Sequence, residues 1–320
     1  MPNYDEKAKI VKETFRNEDA QMAKELFQTG NAAWKSGKYE EAKISYNRAA
    51  RIFLKVEDLE SMAMVSTRLG DMELSLGNYK EARVSLVFAI SYIENIDYAK
   101  GVYIEALIRL AKVYFAQGDD KQALKYLSQA QKVANESGNA ELAGEAFDVE
   151  AEIYLTAGKE DDALKAYQKA VNRYEQQRSE MKQAATLRAM ARIEMSRKNY
   201  DTAHDILEKS RVLYRELGDF LGEASVLSAI GSLRYIIKDI ENARKALMKA
   251  VHLYGKVSHH FAEAEALLYL ARVESFDRAS GDFDRAKSHY KKSAELFGFL
   301  GNDIMVKAVT SEYEEFLKKM

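Results

Sequence analysis

Apolar residues recur along this chain at the spacing of an α-helix. Between residues 142 and 155 they fall at every third or fourth position, namely at Leu142, Ala146, Val149, Ile153 and Tyr154. Gly158 follows, and glycine readily adopts the left-handed conformation that ends a helix because it has no Cβ. A second run starts at once, at Ala163, Leu164, Tyr167, Ala170, Val171 and Tyr174. The pattern predicts two antiparallel helices of about 15–18 residues joined by a tight turn.

The same pattern occurs seven times. Each unit contains a small residue, then a glycine or lysine turn, then an alanine five residues after the turn. The seven sets are Gly30–Gly37–Ala42, Gly70–Gly77–Ala82, Ala111–Gly118–Ala123, Ala151–Gly158–Ala163, Ala191–Lys198–Ala203, Gly231–Lys238–Ala243 and Ala271–Gly281–Ala286. The alanines are separated by 40, 41, 40, 40, 40 and 43 residues. Repeats of this length indicate a solenoid, in which each unit buries its apolar face against its neighbours.

The repeat register predicts the boundaries of the chain's parts. The seven units are expected at residues 19–57, 58–97, 98–138, 139–178, 179–218, 219–258 and 259–301. Residues 1–18 are expected to form an arm or a short helix. Residues 302–320 place Val306, Val309, Tyr313 and Phe316 on one face, which predicts a helix that caps the last apolar surface.

The turn sequences resemble the tetratricopeptide repeat. The signature is a small residue, a Gly-x-Tyr-x-x-Ala turn and a later small residue, as in Gly37-Lys38-Tyr39-Glu40-Glu41-Ala42 and in Gly77-Asn78-Tyr79-Lys80-Glu81-Ala82. The units are longer than the usual 34 residues, so they are similar to the elongated type of about 40 residues. Lys198 and Lys238 replace the turn glycine, and we expect Asn199 or Asp239 to adopt the left-handed conformation there.

The resemblance implies an all-α, right-handed α-solenoid (superhelix) whose first helices line a concave groove. In this family the residues three before and one after the small position point into the groove. They give the candidate partner-binding residues Thr67, Asp71, Ile108, Lys112, Asp148, Glu152, Arg188, Arg192, Ser228 and Ser232. The charge changes sign between Asp148 with Glu152 and Arg188 with Arg192. Two interpretations stay open: neighbouring helices that neutralise each other, or a groove that binds a partner of mixed charge.

The second helix of the second unit is unusually apolar. Its apolar residues cover nearly all sides of the helix and are Val84, Leu86, Val87, Phe88, Ile90, Tyr92 and Ile93. One explanation is extra burial between long helices. The other is an exposed contact face for a partner or for a second copy of the chain.

Composition and motifs limit the kinds of ligand and reaction that we expect for this chain. The net charge of −2 and the lack of a basic stripe argue against nucleic-acid binding. There is no cysteine, no apolar run long enough for a membrane span and no signal peptide, so we expect a cytoplasmic protein. The histidines, His204, His252, His259, His260 and His289, lack the spacing of a metal site. We therefore expect no metal, no cofactor and no enzymatic activity.

The function expected from the resemblance is that of a non-catalytic adaptor or scaffold that binds a partner protein or peptide in its groove. Two alternatives remain: a regulator whose helix pairs rearrange when a peptide binds, and an adaptor similar to α-SNAP in membrane fusion. Self-association into a homo-oligomer is also compatible with the sequence.

Overall fold

The computed structural model describes residues 4–276 and 283–319, and within these ranges the chain is helical without a β-strand. The all-α prediction is confirmed. The α-helices are α1 (Tyr4–Lys35), α2 (Tyr39–Lys55), α3 (Leu59–Ser75), α4 (Tyr79–Ile93), α5 (Lys100–Ala116), α6 (Asp120–Glu136), α7 (Ala140–Thr156), α8 (Glu160–Gln177), α9 (Glu180–Ser196), α10 (Tyr200–Glu216), α11 (Phe220–Ile236), α12 (Ile240–Lys256), α13 (His260–Phe276), α14 (Phe283–Phe299) and α15 (Asp303–Lys319). A short 3-10 helix, Asp97–Ala99, precedes α5.

In chain order the helices form seven pairs, from α1 and α2 to α13 and α14, followed by α15. The start of the second helix in each pair keeps the repeat register of about 40 residues. The predicted turn at Gly281 lies outside the described residues.

The first helix is longer than the repeat register predicts. Residues 4–18, expected as a separate arm or short helix, continue without a break into α1, which is 32 residues long. No glycine or proline interrupts the stretch from residue 4 to residue 29. The Arg16 side chain also donates a hydrogen bond to the Val56 carbonyl at 2.8 Å, and Lys55 pairs with Asp19 at 2.8 Å. The extension is therefore tied to the end of α2.

Left-handed residues end the helices at almost every turn. Between the two helices of a pair they are Gly37, Gly77, Gly118, Gly158, Lys198 and Lys238, and between pairs they are Glu57, Gly138, Arg178, Gly218, Ser258 and Gly301. Lys198 and Lys238 have φ values of 65° and 64°. The prediction for Asn199 and Asp239 is therefore wrong, because these residues have negative φ and occupy the N-cap position of the next helix.

The glycines at the small position of α3 and α11 face the second helix of their own pair. A Cβ added to Gly70 would lie 2.6 Å from Leu86 Cγ, and one added to Gly231 would lie 2.5 Å from Leu247 Cγ. The helices therefore approach each other as closely as the sequence pattern predicts at these two positions.

The described residues divide into two compact units, residues 1–173 and residues 174–320. In the first unit α3 contacts α5 and α5 contacts α7; in the second unit α11 contacts both α9 and α13. The first helices thus form a layer within each unit, which we call the first-helix layer. At the C-terminal end α15 buries Val309 against α13 and α14, with Val306, Tyr313 and Phe316 packed on the same cluster. This is the capping face that the sequence predicts.

Candidate partner-binding surface

Exposure on the first-helix layer decides which predicted groove residues can meet a partner. Thr67 and Ile108 are only 3% and 0% exposed, so their assignment to the surface is wrong. Ile108 belongs to the apolar core of the first unit because its face of α5 turns toward the neighbouring helices. Glu152, Arg188 and Arg192 are exposed. The remaining candidates are half-buried, namely Asp71, Lys112, Asp148, Ser228 and Ser232.

In the first unit, Arg109 joins three successive first helices. Its guanidinium is 3.2 Å from Asp71 Oδ1 on α3, 3.6 Å from Glu105 Oε1 on α5 and 2.7 Å from Glu145 Oε1 on α7. Lys112 Nζ lies 3.7 Å from the same Glu145 oxygen. Burial by itself would lower the pKa of Arg109, but the three carboxylates raise it above its ordinary value. Arg109 is thus already neutralised by the protein's own carboxylates.

Sequence reasoning missed Arg109, because it considered only the positions three before and one after the small residue. Arg109 lies two residues before Ala111, and Arg68 occupies the equivalent position in α3. This recurrence of arginine was the signal that could have identified it.

In the second unit, two arginines extend from α9 beside a serine-rich stretch of α11. Arg188 Nη1 donates a hydrogen bond to Ser225 Oγ. Ser228 and Ser232, the predicted groove residues of α11, lie three and seven residues after Ser225 and therefore on the same side of that helix. This arrangement offers guanidinium and hydroxyl donors suited to a carboxylate or another anion.

Buried tyrosines lie beneath this group. Burial raises the pKa of Tyr254 to about 12, although the nearby Arg188 guanidinium lowers it. Burial also raises the pKa of Tyr214, again against the effect of Arg188. Both hydroxyls therefore stay protonated at neutral pH and carry no negative charge that would pair with Arg188.

The predicted opposition of Asp148 and Glu152 to Arg188 and Arg192 stays a prediction. Asp148 and Glu152 belong to the first compact unit, and Arg188 and Arg192 belong to the second. Both carboxylates already have polar partners. Within the second unit, α11 contacts α9 and supplies the surface beside its arginines.

Three of the histidines lie near charged side chains, and His260 Nδ1 is 3.7 Å from Glu263 Oε2. His289 Nδ1 is 2.7 Å from Glu274 Oε2, and His204 Nε2 is 2.8 Å from the Arg234 guanidinium. The described residues contain no group of three or more histidines and carboxylates placed to hold a metal ion. None of the described helices combines the length and the apolar run that a bilayer span requires.

Helix α4 presents an apolar strip to solvent. Val84 is 63% exposed, Val87 45%, Phe88 37% and Tyr92 40%, whereas Leu86, Ala89 and Ile93 are buried. Extra burial between helices therefore does not explain these four residues, and the contact face stays a prediction.

Family comparisons agree with this architecture. Models of the tetratricopeptide repeat match residues 18–55 and residues 103–176. The chain is a tetratricopeptide repeat protein with repeats of about 40 residues. No curated protein sequence matches the chain.

Several solved structures share the fold. A signal transduction ATPase with numerous domains from Pyrococcus horikoshii, which carries a tetratricopeptide repeat sensor, aligns with 93% of this chain at a TM-score of 0.65 and 16% identity. The alignment covers only 50% of that protein. Aspartyl phosphate phosphatase F from Bacillus subtilis aligns with 92% of this chain and 76% of its own length, at a TM-score of 0.62 and 14% identity. The apo form of RapI aligns with 93% of this chain and 99% of its own length, at a TM-score of 0.59 and 14% identity.

Proposed function

We propose that this chain is a non-catalytic adaptor that binds a segment of a partner protein on its first-helix layer. Acidic residues of the partner would contact Arg188 and Arg192. The observation that carries the proposal is the exposure of both guanidinium groups beside the serines of α11, in contrast to the enclosed Arg109. Tetratricopeptide repeats present surfaces of this kind for protein binding.

The charge of the two arginines favours an acidic partner segment. Each can donate two parallel hydrogen bonds to one carboxylate, a geometry that lysine cannot supply. Ser228 and Ser232 can donate to further oxygen atoms of the same segment. Truncating one side of a desolvated charged pair at an interface costs about 2–5 kcal/mol, whereas an exposed pair contributes about 0–1 kcal/mol.

The experiment starts from peptides selected on the full chain from a random displayed library. We expect acidic residues to be enriched, and the double variant Arg188→Glu with Arg192→Glu should weaken the selected peptides at least about tenfold. The melting temperature should change little, because both side chains are exposed. Peptide affinity and thermal melting are measured on the same preparations.

A matched control is available on a second helix. Lys121 and Lys125 of α6 are exposed and four residues apart, as Arg188 and Arg192 are. The variant Lys121→Glu with Lys125→Glu makes the same change of charge and should leave peptide affinity unchanged. Equal weakening by both variants would contradict a defined site, and a sharp loss of stability in the arginine variant would assign the arginines to an intramolecular role.

A sensor-type regulator is the second candidate. It is supported by the described function of the Pyrococcus horikoshii region as a tetratricopeptide repeat sensor. In that case a selected peptide should change amide hydrogen exchange in helices that it does not contact. Protection confined to α9 and α11 would instead support a simple adaptor.

The absence of catalysis is itself part of the proposal, since one structure with this fold is named a phosphatase. The chain should not accelerate the hydrolysis of acetyl phosphate, a small acyl phosphate that resembles an aspartyl phosphate. This part of the proposal would be overturned if the purified chain hydrolysed acetyl phosphate and a substitution on its exposed surface abolished that activity.

A further inference from the structure

The repeats themselves show that the exposed strip of α4 is unusual. The strip comprises Val84, Val87 and Phe88, which lie two, five and six residues after the alanine of the repeat, together with Tyr92. At the position of Phe88 the other second helices carry a charged or amide side chain: Arg48, Gln129, Lys169, Lys209, Lys249 and Lys292. At the position of Val84 most of them carry a polar or charged residue, and Ile44 of α2 is the exception. Apolar side chains at the positions of Val84 and Phe88 are therefore not required by the repeat.

The α4 strip is built as a continuous surface. Its members recur at three- and four-residue spacing, so they share one side of the helix. Phe88 and Tyr92 are in ring contact, with centroids 5.0 Å apart. Ile44 on α2, at 58% exposure, and Tyr98 on the 3-10 helix after α4, at 67%, are further exposed apolar residues of the first unit. Covering this surface would release apolar area from water at about 25 cal/mol per Å².

The charges beside the α4 strip are self-complementary. Arg83 lies five residues before Phe88, and Glu94 lies six residues after it; both are exposed. Because eleven residues complete about three helical turns, the two charges lie on the same flank of α4. The Glu94 carboxylate accepts a long hydrogen bond of 3.5 Å from the Tyr103 hydroxyl.

We propose that α4 packs antiparallel against α4 of a second copy of this chain, about a two-fold axis near Phe88. A two-fold axis perpendicular to the helices reverses their direction but keeps each flank facing the same flank of its partner. Arg83 of one copy then meets Glu94 of the other, and the pair forms twice. The two α4 strips cover each other at the centre.

A second copy fits this surface because the surface carries both members of the ion pair, Arg83 and Glu94, beside an apolar strip. An amphipathic helix of another protein could cover the apolar residues, but nothing would place its charges opposite Arg83 and Glu94 in equivalent positions. The helix spans only about 22 Å, and stable interfaces bury about 800 Å² per partner, so we expect a dimer with a micromolar dissociation constant.

Sedimentation velocity of the full chain tests the proposal. The monomer mass is 36.3 kDa. Between about 1 and 200 µM the sedimenting mass should rise toward twice this value, which brackets a micromolar dissociation constant. Phe88→Lys, which installs the residue of several other repeats, should remain monomeric throughout this range. Met248→Lys on α12 is the matched control, since Met248 is 53% exposed on a second helix and should not affect association.

Charge exchange separates this geometry from other modes of association. Arg83→Glu alone and Glu94→Arg alone should each weaken the dimer about tenfold, because two attractive pairs become repulsive. The double variant Arg83→Glu with Glu94→Arg restores both pairs and should dimerise like the original protein. A chain that stays monomeric up to the highest concentration would overturn the proposal. So would a double variant as weak as the single ones, or a Phe88→Lys chain that still dimerises with unchanged circular dichroism.

Discussion

Single residues in the turns carry much of the information that sets the repeat. Lys198 and Lys238 adopt the left-handed conformation that Gly37 and Gly77 adopt in the first two pairs. A side chain with a Cβ is less stable in this conformation by roughly 1–2 kcal/mol. The turns of the fifth and sixth repeats are therefore formed at a local cost that packing of the flanking helices offsets.

Replacing the turn lysine should stabilise the protein. We expect Lys198→Gly to raise the free energy of unfolding by about 0.5–1 kcal/mol, because glycine relieves the backbone strain but adds entropy to the unfolded chain. Urea unfolding followed by circular dichroism measures this change. The reciprocal control is Gly158→Ala, where an added Cβ would meet no atom within 4 Å and the backbone alone should cost about 1 kcal/mol. A Lys198→Gly protein less stable than the original would contradict this account of the turn.

Side-chain partners across the same turns follow a rule that the sequence pattern did not reveal. In the second, fifth and sixth repeats, the residue three after the small position pairs with the N-cap residue five positions later. Asn78 donates to Glu73 and Asn199 donates to Glu194, each at 2.7 Å, whereas Arg234 donates to Asp239 at 3.3 Å. Where the first residue of the pair is an acceptor (Glu73, Glu194), the N-cap residue is a donor, and where the first is a donor (Arg234), the N-cap residue is an acceptor. Such pairs could have been found by comparing repeats with one another.

The candidate surface was only partly predictable at this scale. Position in the repeat correctly identifies Arg188 and Arg192 as exposed, since their side of α9 has no apolar requirement. It fails for Thr67 and Ile108. Their exposure depends on how far each helix is rotated about its own axis against both neighbours, and the repeat pattern gives that rotation only to within about one residue position. Arg109 escaped prediction for the same reason.

At the scale of elements, the final helix is held by charge as well as by apolar packing. The Arg272 guanidinium donates two hydrogen bonds to the Glu312 carboxylate, both at 2.7 Å, and the Tyr290 hydroxyl donates to Glu312 at 3.0 Å. These contacts join α15 to α13 and α14. Burial alone would raise the pKa of Glu312, but Arg272 and Tyr290 keep this pKa below its ordinary value of 4.5.

This pairing should make the stability of the C-terminal end depend on pH. Because the pKa of Glu312 is lower in the folded state, its ionised form stabilises folding above pH 4.5, and the contribution is lost as the pH falls through the folded-state pKa. We expect Glu312→Gln to cost about 1–2 kcal/mol of unfolding free energy at pH 7. The variant and the original protein should converge as the pH drops below 4.5.

Glu315→Gln provides the control on the same helix. Glu315 is 66% exposed and lies 4.0 Å from Lys319, so its replacement should change stability by less than about 0.5 kcal/mol. If both variants lost equal stability at pH 7, the pairing of Arg272 with Glu312 would not be what holds α15.

Helix positions were predicted well where a glycine or a helix cap ends each run, as at Gly118 and Asp119. The N-terminal element was predicted poorly. Its first residues lie before the first repeat and have no counterpart in the repeat register, so periodicity could not show that α1 continues through residue 18. The contacts of Arg16 and Asp19 with the end of α2 depend on tertiary structure and leave no signal in local sequence.

At the scale of the whole molecule, the division into two compact units has no counterpart in the repeat pattern. The boundary falls at residue 173, inside α8, where the sequence continues in helical register. The repeat predicts a uniform array, because each unit has similar small and apolar residues.

Within each unit, the principal helix contacts join helices that are next or next but one along the chain, and this has a kinetic consequence. Contacts between residues close in sequence require little loop closure before they form, so helical proteins of low contact order refold quickly.

The only proline is Pro2, outside the repeats. Refolding by dilution from urea should therefore lack the phase of about 10–100 s that prolyl isomerisation produces at 25 °C. Stopped-flow circular dichroism with and without a prolyl isomerase checks this, and a slow phase accelerated by the isomerase would show that Pro2 limits folding after all.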